Sequence, residues 1–439
     1  MKKVFVILSI LFLLPPMLMA QEAFSLEDCI NYALEHSTDI SRAQNNVSTQ
    51  SASLEQSKAA QLPNLQLGVN QQLSSKSTYN TTESQWDQNG NLSLNATLSS
   101  QVMLYNGAKL KNSIRQNEID LESTELNIRT EQELLSLNIL SYYINVLLAK
   151  DNLTNSELQL EATQEQLSYT EARHEAGVIP VSDLLNMKSQ LASNKTETIE
   201  AQSSLRIALV SLMQAMNMPL DDNFDIEQPD VDNILNTTME TDPEIVFAHA
   251  LGIQPNIKSA LLNIESAQTG VDIAKSGFLP SLSLNGSIGS GYASNNNYID
   301  FENSYANNIN SYIGLNLTVP IFQRKQVKTQ VAIAEIQTNN YELELMDLKN
   351  SLRKSIEQAC TDAQTAQSSY GALQEQLTAE QESYKMADEM FSQGMINAVD
   401  MLMAKNNLTI AENKFTQSKY NLILQNRILD YYLGNAISL

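Results

Sequence analysis

The side chains able to do bond chemistry are few and scattered. His36, His174 and His249 lie far apart and Cys29 and Cys360 are the only cysteines, so no group with metal-ligand spacing can be assembled. No nucleophile elbow and no P-loop occurs, and three histidines at helical positions offer no general acid–base pair. Gly286-Ser287-Ile288-Gly289-Ser290-Gly291 has the look of a phosphate loop. It follows a strand pattern but opens no helix, which points to crowding in a wall of strands. Asp183 and Asp400 each stand six residues after a glycine, Gly177 and Gly394, where a carboxylate suits the first turn of a helix. An enzyme is not expected, nor a cofactor, nor a bound metal. The cysteines either bridge or remain two thiols packed against helices.

The surrounding composition fits a body of long helices. Lys and Arg number 27 against 50 Asp and Glu, a net charge of -23, and such a polyanion will not grip nucleic acid. Hydrophobic residues reach 42%, charged residues 18%, and only 14 of 439 residues are glycine. Met1-Lys2-Lys3 and the apolar run ending at Ala20 read as a signal peptide over residues 1–20. No later segment is apolar for the ~18 residues that a spanning helix needs. The mature chain is therefore exported and soluble, or inserted as strands.

Slid against itself by 217 residues, the sequence repeats. Asp39-Ile40 falls on Asn256-Ile257, Leu62-Pro63 on Leu279-Pro280, Gly177 on Gly394, Asp183 on Asp400 and Leu185 on Leu402. A first repeat over 21–217 is expected to hold a helix, a β-hairpin at 63–105, a long helix at 106–174 and a helix at 181–216. The second, over 247–439, is expected to hold a helix, a hairpin at 280–322, a long helix at 324–391 and a helix at 398–433. Pro63 and Pro280 switch helix to strand. Leu65, Leu67 and Val69, then Leu92, Leu94, Ala96 and Leu98, alternate with polar residues at period two. Ile114, Leu121, Ile128, Leu135, Tyr142 and Ala149 recur every seven residues, and Leu153, Leu160 and Leu167 resume after a four-residue step. This is a supercoiled helix of roughly 100 Å at ~1.5 Å per residue. Residues 218–246 hold nine acidic residues and no Lys or Arg, and read as an irregular connector outside the helical body.

Four strands cannot close a barrel alone, and an open edge in lipid leaves backbone groups unpaired. Two pooled chains would give eight strands around a filled bore, and three would give twelve around a water-filled lumen. Tyr79, Trp86, Tyr292, Tyr298, Tyr305 and Tyr312 near the strand ends suit an interfacial aromatic belt. The competing reading is a soluble periplasmic coiled-coil adaptor or scaffold, which explains the alternating hairpins poorly.

LEDCINYALEHSTDI at the start, KAAQLPNLQLGV and KSGFLPSLSLNG at the helix-to-strand switches, and QVMLYNGAK and TVPIFQRK where strands return to helix carry a resemblance across the whole mature chain. EARHEAGVIPVSDLLN and DEMFSQGMINAVDMLMA at the tips extend it. In their order and spacing they resemble the TolC-type outer-membrane efflux and secretion channels. The resemblance implies an α+β membrane protein with long coiled-coil hairpins forming an α-barrel tunnel. It also implies four strands per chain in a twelve-stranded barrel shared by a homotrimer, seated in outer-membrane lipid of a Gram-negative bacterium. The implied partners are a periplasmic membrane-fusion adaptor and an inner-membrane pump of RND or ABC type. By the same resemblance Gly177, Leu185, Gly394 and Leu402 form adaptor-docking tips. Asp183, Asn186, Ile396, Asp400 and Met403 line the periplasmic entrance, with Asn186 and Met403 where the family's second aspartate stands. Ile179 and Ile396 stand where a basic residue would make an ionic lock, so the closed entrance is expected to rest on apolar packing.

Overall fold

The structure is a computed structural model that describes residues 23–229, 241–294, 305–435 and 437. The signal segment, the middle of the acidic connector, and residues 295–304 with Tyr298 lie outside the described residues. The order is α1 (Leu26–His36), α2 (Thr38–Ala59), β1 (Gln66–Asn80), β2 (Gln85–Tyr105), α3 (Lys109–Glu175) and α4 (Val181–Ala215). It continues with α5 (Pro243–Ile253), α6 (Pro255–Lys275), β3 (Ser281–Ala293), β4 (Asn310–Thr318), α7 (Gln326–Ser392) and α8 (Ala398–Tyr432). The helices α3 and α7 have 67 residues each and α4 and α8 have 35 each. Among the described residues no helix is long and apolar enough to cross a membrane.

α1 is set by a capping box. The Asp28 amide donates to the Ser25 hydroxyl at 3.1 Å, and the Ser25 hydroxyl at 2.6 Å and amide at 3.1 Å donate to the Asp28 carboxylate, two bonds that hold its carboxyl below the ordinary range. The Ser37 backbone turns extended, and its hydroxyl accepts from the Ile40 amide at 3.3 Å, so α1 and α2 are separate helices. α5 likewise ends at extended Gln254, just before Pro255. α5 starts at Pro243, inside the stretch read from sequence as connector.

The chain divides into two compact units. One comprises Arg42–Arg129 and Pro255–Asn350 and carries a four-stranded antiparallel sheet in the order β1-β2-β3-β4. β1 and β4 are its edges.

The other unit comprises Met1–Ser41, Thr130–Gln254 and Ser351–Leu439. Its core gathers Cys29 and Ala33 of α1, Ile139, Tyr143 and Leu147 of α3, Leu212 and Met213 of α4, and Leu422 and Ile423 of α8. Here the connector departs from expectation. Phe224 and Ile226 are buried in this core, and Ile226 makes a parallel bridge to Phe24. The Tyr143 hydroxyl donates to the Glu227 carbonyl at 2.7 Å, and Lys150 Nζ donates to the Ile226 carbonyl at 2.7 Å and pairs with Asp225 at 2.6 Å. An acidic segment is thus stitched in by two apolar side chains rather than lying outside the body. Cys29 and Cys360 are both buried and not joined by a disulfide, and burial with Asp28 nearby pushes the Cys29 thiol up to about 12.

Seams within this unit keep a seven-residue period. In α7, Leu352, Ile356, Ala359, Ala363 and Ala366 are buried at steps of four and three. In α3 the buried set beyond Ala149 is Ser156, Thr163 and Thr170, interleaved with half-buried Leu153, Leu160 and Leu167. Each buried hydroxyl bonds a carbonyl of its own helix: Ser156 to Leu153, Thr163 to Gln159 and Thr170 to Gln166, all at 2.8 Å. The seven-residue spacing therefore continues unbroken from Ala149, carried by hydroxyl residues that an apolar count passes over.

Candidate functional site

Residues opposite one another in an antiparallel pair share a face. The register Leu67↔Leu98, Val69↔Ala96, Leu73↔Leu92, Leu98↔Ile288, Leu284↔Leu315 and Leu282↔Leu317 therefore gathers aliphatic side chains on one face of the sheet. Gln71, Ser100, Ser290 and Ser311 interrupt it, and Ser75 and Ser77 follow toward the β1–β2 turn. The partners Gln66↔Ser99, Asn70↔Asn95, Gln72↔Ser93, Thr97↔Gly289 and Ser283↔Asn316 place amides and hydroxyls on the other. Lys76 is the only charged residue among the polar-face partners from β1, and among the described residues no second layer covers the aliphatics of the edge strands: Leu67, Leu73, Ile313 and Leu315 are all exposed.

Of the β3 glycines, Gly286 pairs with Ile313 on the aliphatic face, while Gly289 and Gly291 belong to the polar face. A Cβ at Gly289 would sit 2.9 Å from Thr97 Oγ1, and one at Gly291 would collide with Asn95 Oδ1. The Gly-rich stretch thus lets neighbouring polar side chains lie flat on the wall, and it lies within β3 rather than at a helix start. At the loop end Tyr79 and Trp86 meet edge to face at 5.4 Å. Tyr292 pairs with Leu94 on the aliphatic face, whereas Tyr312 pairs with Ser287 on the polar face. Period two therefore removes Tyr312 from an outward aromatic belt.

At the other end of the sheet all four strands meet helices. The α2 turn closes with the Leu62 amide on the Ala59 carbonyl, Pro63 follows, and β1 begins at Gln66. Pro280 follows a short 3-10 turn, Ser276–Phe278, and precedes β3. Both strand-to-helix returns use two consecutive left-handed residues, Gly107 (φ +67°) and Ala108 (φ +66°), then Arg324 (φ +49°) and Lys325 (φ +65°). A Cβ on Gly107 would also lie 2.8 Å from Leu279 Cβ.

The two helical tips share one geometry. The Gly177 amide bonds the His174 carbonyl and the Val178 amide the Arg173 carbonyl; the Gly394 and Met395 amides bond Phe391 and Met390 in the same way. These are Schellman caps, with Gly177 at φ +75° and Gly394 at φ +76°. Beyond Gly177 there is open space, and beyond Gly394 the only neighbour is Arg173 Nη2 at 3.8 Å. Asp183 and Asp400 occupy the first turns of α4 and α8, where the Asp400 amide donates to the capping Asn397 side chain at 2.9 Å. Asn186 is half-buried and Met403 exposed, while Ile396 packs against a small core of Met187, Phe391, Ala398, Met401 and Leu402. The matched leucines diverge: Leu185 is 59% exposed and Leu402 only 9%. Leu402 contributes to the packing of its own tip.

Sequence reasoning missed Arg173. Its guanidinium donates to the Phe391 carbonyl at 3.2 Å and sits 5.6 Å and 5.7 Å from the Tyr169 and Phe391 ring centres. A cation at a helix C-terminus is favourable, and this one belongs to α3 while serving α7. Within the chain, a charged group thus joins the apolar residues of this tip. The available signal was a basic residue in the last turn of α3, although nothing local reveals that it reaches a second helix.

The model of the outer membrane efflux protein family matches residues 29–218 and again 246–435. The chain belongs to this family. Membership locates it in the outer membrane of a Gram-negative bacterium. It is 25% identical to outer membrane protein TolC of Salmonella enteritidis over 320 residues, covering 71% of this chain and 63% of that protein. The chain therefore spans less than two thirds of that relative's length. It is 26% identical to the pyoverdine export outer membrane protein OpmQ of Pseudomonas aeruginosa over 371 residues, covering 83% and 74%. The fold is that of CusC, with a TM-score of 0.79 at 19% identity and 94% of each chain covered.

Proposed function

We propose that the chain is one subunit of a homotrimeric exit duct, a passive channel for efflux or type I secretion that opens to the outside through a shared twelve-stranded barrel. The observation that carries this is the two-faced sheet with free edges at β1 and β4. An aliphatic face without cover suits lipid, an amide- and hydroxyl-lined face suits water, and two open edges in a bilayer require neighbouring copies. Family membership and the export named for OpmQ support transport driven elsewhere, through a periplasmic membrane-fusion adaptor and an inner-membrane pump of RND or ABC type. In this reading the coiled-coil hairpins of the two repeats line a helical tunnel. Gly177, Gly394 and Leu185 offer the adaptor an open, sharply turned surface. Asp183 and Asp400, repeated in each subunit, ring the entrance with like charge beside Asn186, Ile396 and Met403.

The deciding experiment is the mass of the mature protein purified from membranes in detergent, corrected for bound detergent. A trimer that conducts ions in planar bilayers is expected. A monomer, or protein recovered wholly without detergent, overturns the reading in favour of a soluble scaffold. In the trimer, Arg173→Ala should raise leak conductance severalfold because it frees the α7 tip, and unchanged leak would remove Arg173 from the closed entrance.

A further inference from the structure

The chain carries a net charge of -23, yet its basic residues are not spread evenly. The four short stretches joining sheet to helices, residues 54–66, 101–115, 268–284 and 316–334, hold Lys58, Lys109, Lys111, Arg115, Lys275, Arg324, Lys325 and Lys328 against only Glu55 and Asp272. The antiparallel order brings these stretches to one end of the sheet: Gln66 pairs with Ser99, Tyr105 with Leu282 and Ser281 with Thr318. The opposite end has the reverse sign. Around the β1–β2 turn the sequence holds Lys76 against Glu83 and Asp87.

Three of the root cations are paired, Lys58 with Glu118, Arg115 with Glu265 and Lys275 with Asp272. Lys109, Lys111, Arg324, Lys325 and Lys328 are exposed and, among the described residues, have no carboxylate within ion-pair distance. Next to them the surface is strongly apolar: Ile321 is 96% and Phe322 84% exposed, and Leu62 and Leu65 are exposed as well. Arg324 and Lys325 also hold left-handed backbone, which glycine would adopt without strain, so the local fold does not call for long basic side chains at these two positions.

We propose that this collar binds anionic phospholipid headgroups in the leaflet nearest the helices. The inference rests on the membrane reading of the sheet. An aliphatic band, then exposed Ile and Phe, then unpaired cations is the order of chemistry met on passing from acyl chains to phosphates. A polyanionic body would otherwise be repelled by an anionic leaflet, and a local cationic belt reverses that at the contact. The lipid is favoured over an acidic protein because at both strand-to-helix returns the cations follow directly on strands that carry the aliphatic face.

The test reconstitutes the full-length protein in phosphatidylcholine nanodiscs with or without phosphatidylglycerol and counts retained lipids by native mass spectrometry after detergent exchange. Wild type should retain phosphatidylglycerol over phosphatidylcholine by about tenfold, with the preference falling as salt rises. The variant carrying Lys109→Gln, Lys111→Gln, Arg324→Gln, Lys325→Gln and Lys328→Gln should lose it, while replacing the four lysines with arginine should keep it. A wild type without preference overturns the collar, as does a Gln variant that retains the lipid equally. If the Gln variant fails to assemble, the salt titration of wild type decides, since a salt-independent preference is not headgroup electrostatics. Entry into neither bilayer would overturn the membrane reading itself, whereas equal entry into both without lipid preference overturns only the collar.

Discussion

Gly107 and Arg324 hold equivalent left-handed positions with opposite degrees of comfort. At Gly107 a methyl group meets both an unfavourable φ and the Leu279 side chain. Gly107→Ala should therefore cost about 2 kcal/mol or more, seen as a lower heat-dissociation temperature in detergent. Arg324→Gly should range from neutral to about 1 kcal/mol stabilising in the same assay, because strain relief competes with backbone entropy. The reverse ranking would refute left-handed backbone as the reason. Lys405 is a second residue with a sign to check. It is buried, its Nζ donates to Thr163 Oγ1 at 2.7 Å, and burial lowers its pKa despite opposing attraction from Asp388 and Glu412. The unfolded chain binds this proton more readily, so stability is withheld at neutral pH and recovered as pH rises toward the ordinary lysine value of about 10.4. Lys405→Met should stabilise by about 1 kcal/mol at pH 7, with the gain shrinking in alkali, and a gain that does not change with pH would refute burial as its source.

At the scale of elements, the α3 seam separates two kinds of buried threonine. Thr170 bonds its own helix, whereas Thr163 also accepts from Asn194 at 2.8 Å and from Lys405. Thr163→Val leaves two donors without their acceptor and should cost about 2–3 kcal/mol, while Thr170→Val should cost well under 1 kcal/mol. Equal losses in denaturant unfolding would show that volume, not hydrogen bonding, sets the seam. The same seam shows where sequence reading stops. Glycines at φ near +75° and prolines after helical turns are legible because few other residues serve there. Alternation at period two is legible because the edge strands β1 and β4 are exposed along almost their whole length. Ser156, Thr163 and Thr170 are not legible as core, since their burial depends on carbonyls one turn away. The break at Ser37, the Phe224–Ile226 insertion and the reach of Arg173 depend on partners remote in sequence or on one backbone torsion.

At the scale of the whole molecule, the two sheet faces should respond oppositely to charge. In the proposed trimer, Leu315→Arg puts a cation on the lipid side, at about 2–4 kcal/mol if near the bilayer midplane, and should abolish membrane-inserted trimer. Asn70→Arg on the polar face should insert normally and shift the channel toward anions in reversal-potential measurements. Equal tolerance of both would show that the faces do not separate lipid from water. The open edges at β1 and β4 carry a further consequence for inheritance. If each wall is closed by strands from separate copies, one damaged edge spoils the ring it joins, whatever the quality of the other subunits. When intact and edge-damaged alleles are expressed together, most assemblies contain at least one faulty copy. Edge lesions should then behave as dominant in the cell, whereas lesions that merely prevent a subunit from folding should be recessive.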